Sequence, residues 1–102
     1  MRIDAAYFDI MTAVMNNARV ESSVWWYGFG SYFRGHEAFS DIDLLAVCST
    51  AEDAGVLRSR MRDLCERWPV HLVIMTEHEA AETDFILSEG CIPLAPSIAG
   101  VG

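Results

Sequence analysis

Two short apolar runs, residues 41–48 and 70–75, constrain the fold of this chain more than any other feature of its sequence. Apart from two aspartates, the first run is apolar at both odd and even positions, and the second is interrupted only by His71. Strands that are buried on both faces of a sheet have this pattern, whereas half-exposed strands alternate. We therefore expect both runs to be buried strands.

The segments around these runs have the spacing of amphipathic helices. Asp4 is placed to cap a first helix, in which apolar residues recur every three to four positions. Ser49 and Thr76 each begin a capping box that is completed three residues later, by Glu52 and Glu79 respectively. We expect the second helix to end at the proline before residue 70 and the third to extend to the glycine at position 90.

A further strand is predicted at residues 24–29, an aromatic and β-branched run that ends in glycines, and residues 91–96 add a short extended piece. The element order is α-β-(turn or short helix)-β-α-β-α. It predicts a small α/β (α+β) fold with a mixed sheet of three or four strands packed with helices. A length of 102 residues suits one domain, which we assign to 1–96, with a flexible tail at 97–102.

The composition excludes several classes of partner and location. Fifteen acidic residues against seven basic ones, all arginine, give a net charge of −8. Such a surface opposes non-specific binding to nucleic acids and to anionic membranes. No apolar run reaches the ~18–20 residues that span a bilayer, and no basic, then apolar, leader is present. Three cysteines without close pairing indicate reduced thiols, so we expect a cytoplasmic protein.

Two polar groups stand out as candidates for chemistry. Asp41 and Asp43 alternate at the start of a predicted strand, so they project to one side about 6–7 Å apart. Two carboxylates this close repel each other unless a cation lies between them, and Mg²⁺ prefers oxygen ligands. The turn at Gly30 and Ser31 offers backbone N–H groups and a hydroxyl to phosphate oxygens, and Arg34 follows one short turn later.

These residues together resemble the signature of a known family. The pattern consists of a glycine–serine turn, an arginine–glycine pair and a serine–aspartate–x–aspartate sequence before an apolar strand. In this chain it is Gly30-Ser31, Arg34-Gly35 and Ser40-Asp41-Ile42-Asp43. Residues 28–47 thus resemble the motif of the minimal nucleotidyltransferases, which are relatives of the catalytic domain of DNA polymerase beta.

The resemblance implies transfer of a nucleoside monophosphate from a nucleoside triphosphate, such as ATP, to an acceptor hydroxyl. It implies that Asp41 and Asp43 hold Mg²⁺, with Mn²⁺ as the other candidate, and that Gly30 and Ser31 bind the triphosphate. Arg34 either pairs with a phosphate or ties the turn down. The acceptor arrives in trans, on a partner protein, since one small domain leaves no room for a second binding unit.

The chain departs from the family at one position. Family members carry a third acidic residue on the next strand, and here His71 stands in its place. Imidazole is a poor ligand for Mg²⁺ and a better one for Mn²⁺, but it can act as a general base near neutral pH. Glu77 is an even number of residues after His71 and would point to the same side of an extended strand. It would lie about 20 Å further along that strand, too far to substitute for His71.

Two other functions remain open from the sequence. The first is a catalytically degenerate nucleotidyltransferase fold that acts as a regulatory or antitoxin-type interaction subunit, by analogy with related domains that pair with a helical partner in toxin–antitoxin systems. The second is a plain metal-binding or oligomerisation domain. Trp25 and Trp26 are adjacent on a strand and must point to opposite faces. One of them is therefore available to a partner protein or to a second copy.

Overall fold

The computed structural model describes residues 4–21, 23–36 and 41–95 of the chain. These residues form four strands, β1 (Trp25–Phe29), β2 (Ile42–Cys48), β3 (Val70–Thr76) and β4 (Ile92–Ala95). They also form helices α1 (Ala5–Val20), α2 (Gly30–Phe33), α3 (Ala51–Arg60), α4 (Arg62–Arg67), α5 (Glu77–Thr83) and α6 (Phe85–Ser88). The tail that we predicted at 97–102 lies outside the described residues.

The four strands form one mixed sheet with the order β3-β2-β1-β4. β1 pairs antiparallel with both β2 and β4, whereas β2 and β3 run parallel. A parallel pair needs a crossover connection, which α3 and α4 provide. The predicted α+β class, with a mixed sheet packed with helices, is therefore confirmed.

One face of the sheet, which we call the core face, is covered by α1, α3 and α4, together with Tyr32 and Phe33 of α2. Its strand residues are Trp26, Ile42, Leu44, Ala46, Cys48, Val70, Leu72 and Ile74. From α1, Ile10 and Val14 are fully buried against them, at the spacing that the sequence predicted. The predicted cap of this helix is also confirmed, because the Asp4 carboxylate accepts a hydrogen bond of 2.8 Å from the Tyr7 N–H.

The second predicted helix differs from expectation in its start and in its continuity. Its N-cap is Thr50 and not Ser49, since the Thr50 hydroxyl accepts a hydrogen bond of 3.2 Å from the Asp53 N–H. Both residues are good N-caps, and β2 decides between them by extending to residue 48. The helix then breaks at the fully buried Met61 into α3 and α4. It ends before Pro69, as predicted.

The third predicted helix begins as expected but is interrupted. Thr76 and Glu79 form the predicted capping box, with both reciprocal hydrogen bonds present. The chain then adopts a left-handed conformation at Asp84, where φ is 53°, and aspartate tolerates this conformation better than most residues. The break separates α5 from α6 and turns Phe85 onto Phe29, with the ring planes at 88° and the centroids 5.2 Å apart.

The prediction that β3 is buried like β2 is wrong. Six of the seven residues of β2 are buried, whereas every residue of β3 keeps some exposure. β3 is apolar on both sides because α3 and α4 cover one side and α5 covers the other. It nevertheless lies at an edge of the sheet, and the apolar pattern alone does not distinguish an edge strand covered on both faces from an interior strand.

Candidate functional site

The other face of the sheet, which we call the site face, carries three rows of side chains across β1, β2 and β3. In order, the rows are Phe29, Asp43 and His71; then Tyr27, Leu45 and Val73; then Trp25, Val47 and Met75. Residues of α5 and α6 pack against the apolar members of these rows. The first row is therefore the polar end of an otherwise apolar face, and the candidate site lies there.

Asp43 and His71 are in direct contact. Each is the second residue of its strand, and the parallel strands pair in register at this point. His71 Nδ1 lies 3.1 Å from Asp43 Oδ1, and the two side chains are 61% and 21% exposed respectively. An ionised carboxylate only accepts hydrogen bonds, so Nδ1 carries the hydrogen. Nε2 is then the ring nitrogen that can take a proton from another group.

The glycine–serine turn lies on the other side of Asp43. Gly30 follows Phe29, the pairing partner of Asp43, and its φ of 77° is left-handed. A Cβ atom at Gly30 would collide with Asp43 Oδ2. Ser31, in the first turn of α2, is partly exposed. Glycine is therefore required here for both the backbone conformation and the close approach of the turn to the carboxylate.

Asp41 borders this group from outside the strand. It is exposed and lies one residue before β2. The start of β2 is held next to the start of β3 by a hydrogen bond of 2.8 Å, which the Ile42 N–H donates to the Pro69 carbonyl. Ser40, the motif residue before Asp41, lies outside the described residues. The structure thus brings Gly30 and His71 to Asp43 and leaves Asp41 at the margin.

Arg34 makes a contact within the fold. Its Nη2 donates a hydrogen bond of 3.1 Å to the carbonyl of Glu89, which follows α6. Its backbone N–H donates to the Gly30 carbonyl at 3.2 Å, closing the short helix α2. Of the two roles that the sequence left open for this arginine, these contacts favour the one that ties the turn down.

The three cysteines do not resemble activated nucleophiles. Cys48, Cys65 and Cys91 are free, and burial raises the pKa of each thiol. The negative charge of Asp53 adds to this rise in the pKa of Cys48, and that of Glu89 adds to it for Cys91. A raised pKa keeps a thiol protonated and weakly nucleophilic at neutral pH. The polar groups at the site are therefore carboxylate, imidazole and hydroxyl.

Ligands for a metal ion at this site come from two aspartates. Among the described residues, no three histidine, cysteine, aspartate or glutamate side chains form a metal-binding group. Asp43 Oδ1 is engaged by His71, while Oδ2 faces the glycine turn. Mg²⁺ takes one or two protein carboxylates and fills its other positions with water and phosphate oxygens. Asp41 and Asp43 are therefore the two carboxylates that could hold such an ion here, beside the turn at Gly30.

Sequence reasoning found the members of this site but missed two of its contacts. It did not foresee the hydrogen bond between Asp43 and His71, because the matching second positions of these residues become visible only with the observed bounds of β2 and β3. It also missed the contact of Arg34 with Glu89, which lies 55 residues away. No local pattern indicates a contact at that distance in sequence.

Comparison with known proteins finds no matching family model, no matching curated protein and no matching solved structure. None of the described helices is long and apolar enough to cross a membrane. What this chain does must therefore be inferred from its own residues and their geometry.

Proposed function

We propose that this chain is a minimal nucleotidyltransferase-type domain, which transfers a nucleoside monophosphate from a nucleoside triphosphate to a hydroxyl group of a partner protein. The juxtaposition of Gly30, Asp43 and His71 at the polar end of the site face supports this proposal most strongly. It combines a metal-binding carboxylate and a base in the first row of the site face with a phosphate-binding turn directly beside that row.

Each residue has a defined role in this proposal. Asp41 and Asp43 hold Mg²⁺ or Mn²⁺, which when bound neutralises charge on the triphosphate. Backbone N–H groups of Gly30 and Ser31, with the Ser31 hydroxyl, bind phosphate oxygens. Asp43 also holds the His71 ring through Nδ1, so that Nε2 accepts the proton of the attacking hydroxyl. In this way His71 replaces the base function of the third carboxylate without serving as a Mg²⁺ ligand.

The proposed nucleotide is ATP, and the proposed acceptor is a protein. A net charge of −8 opposes a nucleic-acid acceptor, because phosphate backbones need cationic contacts. Three free cysteines suit a reducing compartment. We therefore propose that the reaction takes place in the cytoplasm and that a separate partner supplies the hydroxyl group.

One observation supports a second candidate, a catalytically degenerate module that binds nucleotide or a partner protein without turnover. His71 occupies Asp43 Oδ1 with a hydrogen bond, and within the described residues no third ligand for a metal is present. A regulatory or antitoxin-type subunit needs only the fold and the binding surface. The two candidates share the phosphate and metal residues and differ in the task of His71.

The first experiment measures thermal unfolding with Mg²⁺ or Mn²⁺ and each nucleoside triphosphate. A ligand at about 100 times its Kd stabilises the folded state by about 2.7 kcal/mol, which raises the Tm of a domain this small by roughly 10 °C. We expect a metal-dependent rise that is lost in an Asp41→Asn/Asp43→Asn variant. If no nucleotide raises the Tm in the presence of either metal, the proposal of a triphosphate site is rejected.

The second experiment separates catalysis from binding alone. We expect wild-type protein to transfer nucleotide to its partner and His71→Ala to bind ATP without transfer. If wild type is silent and His71→Asp gains transfer activity, the chain is the degenerate module and its missing carboxylate is the reason. Circular dichroism and the Tm of each variant check that folding is unchanged.

A further inference from the structure

The outer edge of β3 is open within the described part of the chain. β3 pairs with β2 on one side, and no other described strand pairs with it. Alternate backbone N–H and C=O groups of an edge strand point outward and can pair with another chain. The opposite edge, β4, is four residues long and contains Pro93, which lacks an N–H donor. β3 is therefore the edge that is suited to accept an additional strand.

A strand added to this edge would extend the row that contains the candidate site. Asp43 pairs with His71 across β2 and β3, so the next strand would place one residue beside His71 on the site face. Neighbouring strands lie about 4.8 Å apart. His71 Nδ1 is turned to Asp43, and its side chain is 61% exposed. A hydroxyl group on the added residue would thus approach Nε2.

The other side of the same edge has a basic pocket. Leu72, the residue after His71, faces the core face and lines a pocket of about 360 Å³ with Arg58, Arg62, Cys65 and Glu66. The positive charge of Arg58 lowers the pKa of the Cys65 thiol, against the larger effect of burial, so the guanidinium lies close to it. Two arginines against one glutamate leave this pocket with one excess positive charge in a chain of net charge −8, which favours an acidic side chain there.

We infer that an extended, acidic segment of a partner protein binds as an additional strand along β3 and presents a serine, threonine or tyrosine hydroxyl to His71. Main-chain hydrogen bonds give such a complex its affinity, and side chains that alternate between the two faces give it specificity. Here the hydroxyl lies on the site face and the acidic residues lie on the side of Leu72. This inference rests on the proposed nucleotidyl transfer and specifies its acceptor.

The chemical step balances without a further reactant. The acceptor oxygen attacks the α-phosphorus of the nucleoside triphosphate and forms a new O–P bond. The bond between the α-phosphorus and the bridging oxygen breaks, and its electron pair leaves with pyrophosphate. The hydroxyl proton passes to His71 Nε2, which the hydrogen bond from Nδ1 to Asp43 keeps oriented.

Two other occupants of this edge are disfavoured by charge. A second copy that paired antiparallel through its own β3 would keep the two core faces on the same side. Arg58 and Arg62 of each copy, offset in each pocket only by Glu66, would then face those of the other. β3 itself contains no aspartate or glutamate to offset them. The segment 96–102 also contains no acidic residue, and it follows β4 at the far edge of the sheet.

Binding is tested first, without nucleotide. The probe is a capped, fluorescein-labelled peptide of nine residues in which valine and glutamate alternate and the central valine is replaced by threonine. We expect saturable binding by fluorescence anisotropy and slower hydrogen exchange at alternate β3 amides. Arg58→Glu is expected to weaken binding about tenfold. Arg60→Glu, a matched change in the last turn of α3 at a different pocket, should bind as wild type does.

Transfer is tested next, with ATP and Mg²⁺ or Mn²⁺, by the mass of the peptide. The threonine peptide should gain one nucleoside monophosphate, and a peptide with valine in its place should bind equally and gain nothing. If ATP raises the Tm but the peptide leaves the β3 amides unprotected, the edge inference fails and the proposed function stands. If the peptide binds and no nucleotide does, the proposed function fails, and with it the acceptor role of this edge.

One further result would overturn the inference in favour of a second copy. Sedimentation of the chain alone would then show a dimer whose formation protects the β3 amides, and Arg58→Glu would strengthen that dimer by removing like charge. We expect instead that the chain is monomeric at the concentrations of the peptide experiment. The inference is supported if the outward-facing β3 amides exchange hydrogen without added protection in the free chain and exchange more slowly when the peptide is bound.

Discussion

The two faces of the sheet differ in what their side chains do. The core face is sealed by four of the described helices, α1 to α4, and its central residues, such as Trp26 and Leu44, have no exposure. Within the described residues, the site face is covered by two short helices, α5 and α6, and its cluster has four buried residues, of which only Leu45 has no exposure. At one end that cluster gives way to Asp43 and His71, which remain in contact with solvent. Stability and candidate chemistry are thus placed on opposite sides of the same strands.

This division lets a small domain carry polar groups without weakening its core. An unpaired carboxylate in the core face would lose its hydration with no compensation, at a cost that small domains cannot tolerate. At the open end of the site face, Asp43 keeps a hydrogen bond and some solvent. Substitutions on the two faces should therefore separate stability from ligand binding. The four predictions that follow test this, from the largest expected effect to the smallest.

The largest effect is expected at the adjacent tryptophans, which lie on opposite faces. Trp26→Ala should lower the free energy of unfolding by about 3–5 kcal/mol, because it leaves a cavity in the sealed core. Trp25 is 39% exposed, so Trp25→Ala should lower the free energy of unfolding by less than about 1 kcal/mol. Urea denaturation of both variants measures the difference. Equal losses would show that the site face is as tightly packed as the core face.

A second comparison uses three glycines. Gly30→Ala should destabilise by about 2 kcal/mol, because alanine is strained at a positive φ and its Cβ displaces the Asp43 carboxylate. Gly35 also has a positive φ but open space around it, so Gly35→Ala should cost about 1 kcal/mol. Gly55→Ala, in α3 with open space, should stabilise by about 0.5–1 kcal/mol.

The same variants report on the candidate site. Gly30→Ala should abolish the nucleotide-dependent rise in Tm, whereas the two other alanine variants should keep it. Retention of the rise in Gly30→Ala would separate the turn from phosphate binding and leave Asp43 without its proposed neighbour.

A third prediction concerns the capping box of α5, the helix that covers the site face. Thr76→Ala should destabilise by about 1 kcal/mol. Hydrogen bonds from the Thr76 N–H and hydroxyl lower the pKa of Glu79 from its ordinary value of 4.5. The contribution of the ionised carboxylate is therefore fully present above that value and is lost as the pH falls through the lowered pKa. Urea midpoints of wild type and Glu79→Gln should differ at pH 7 and converge in acid.

The smallest effect on stability is expected at His71. Because this side chain is mostly exposed, His71→Ala should change the free energy of unfolding by no more than about 0.5 kcal/mol. It should nevertheless abolish transfer to a protein hydroxyl. A stability loss comparable with that of Trp26→Ala would mean that the imidazole is part of the structural core and would contradict the division between the faces.

Local patterns predicted most of the fold. The cap at Asp4, the capping box at Thr76 and the stop before Pro69 are short-range signals, and the structure confirms all three. Ser49 and Thr50 are adjacent and are both good N-cap residues, so the sequence does not decide between them. For this reason the N-cap was predicted at Ser49, whereas the structure has it at Thr50. The edge position of β3 was missed because strand order depends on pairing over the whole chain.

The sequence predicted which residues belong to the candidate site, but it did not predict which of them are in contact. Residue type and parity identified Asp43, and the resemblance to the minimal nucleotidyltransferases identified His71, but the hydrogen bond between them depends on the register between two parallel strands. The close approach of Gly30 to Asp43 likewise depends on antiparallel register. A sequence pattern determines which face a side chain occupies, whereas a distance of about 3 Å requires the alignment of separate segments.

The last described strand has a consequence for synthesis of the chain. β4 pairs with β1 and also packs against α1, so segments from the two ends of the described chain meet. On a ribosome, α1 and β1 emerge first and must wait for β4 before the sheet can close. During that interval β1 presents an unpaired edge, which is prone to pairing with other nascent chains. Productive folding of this domain is therefore expected only after residue 95 has left the exit tunnel.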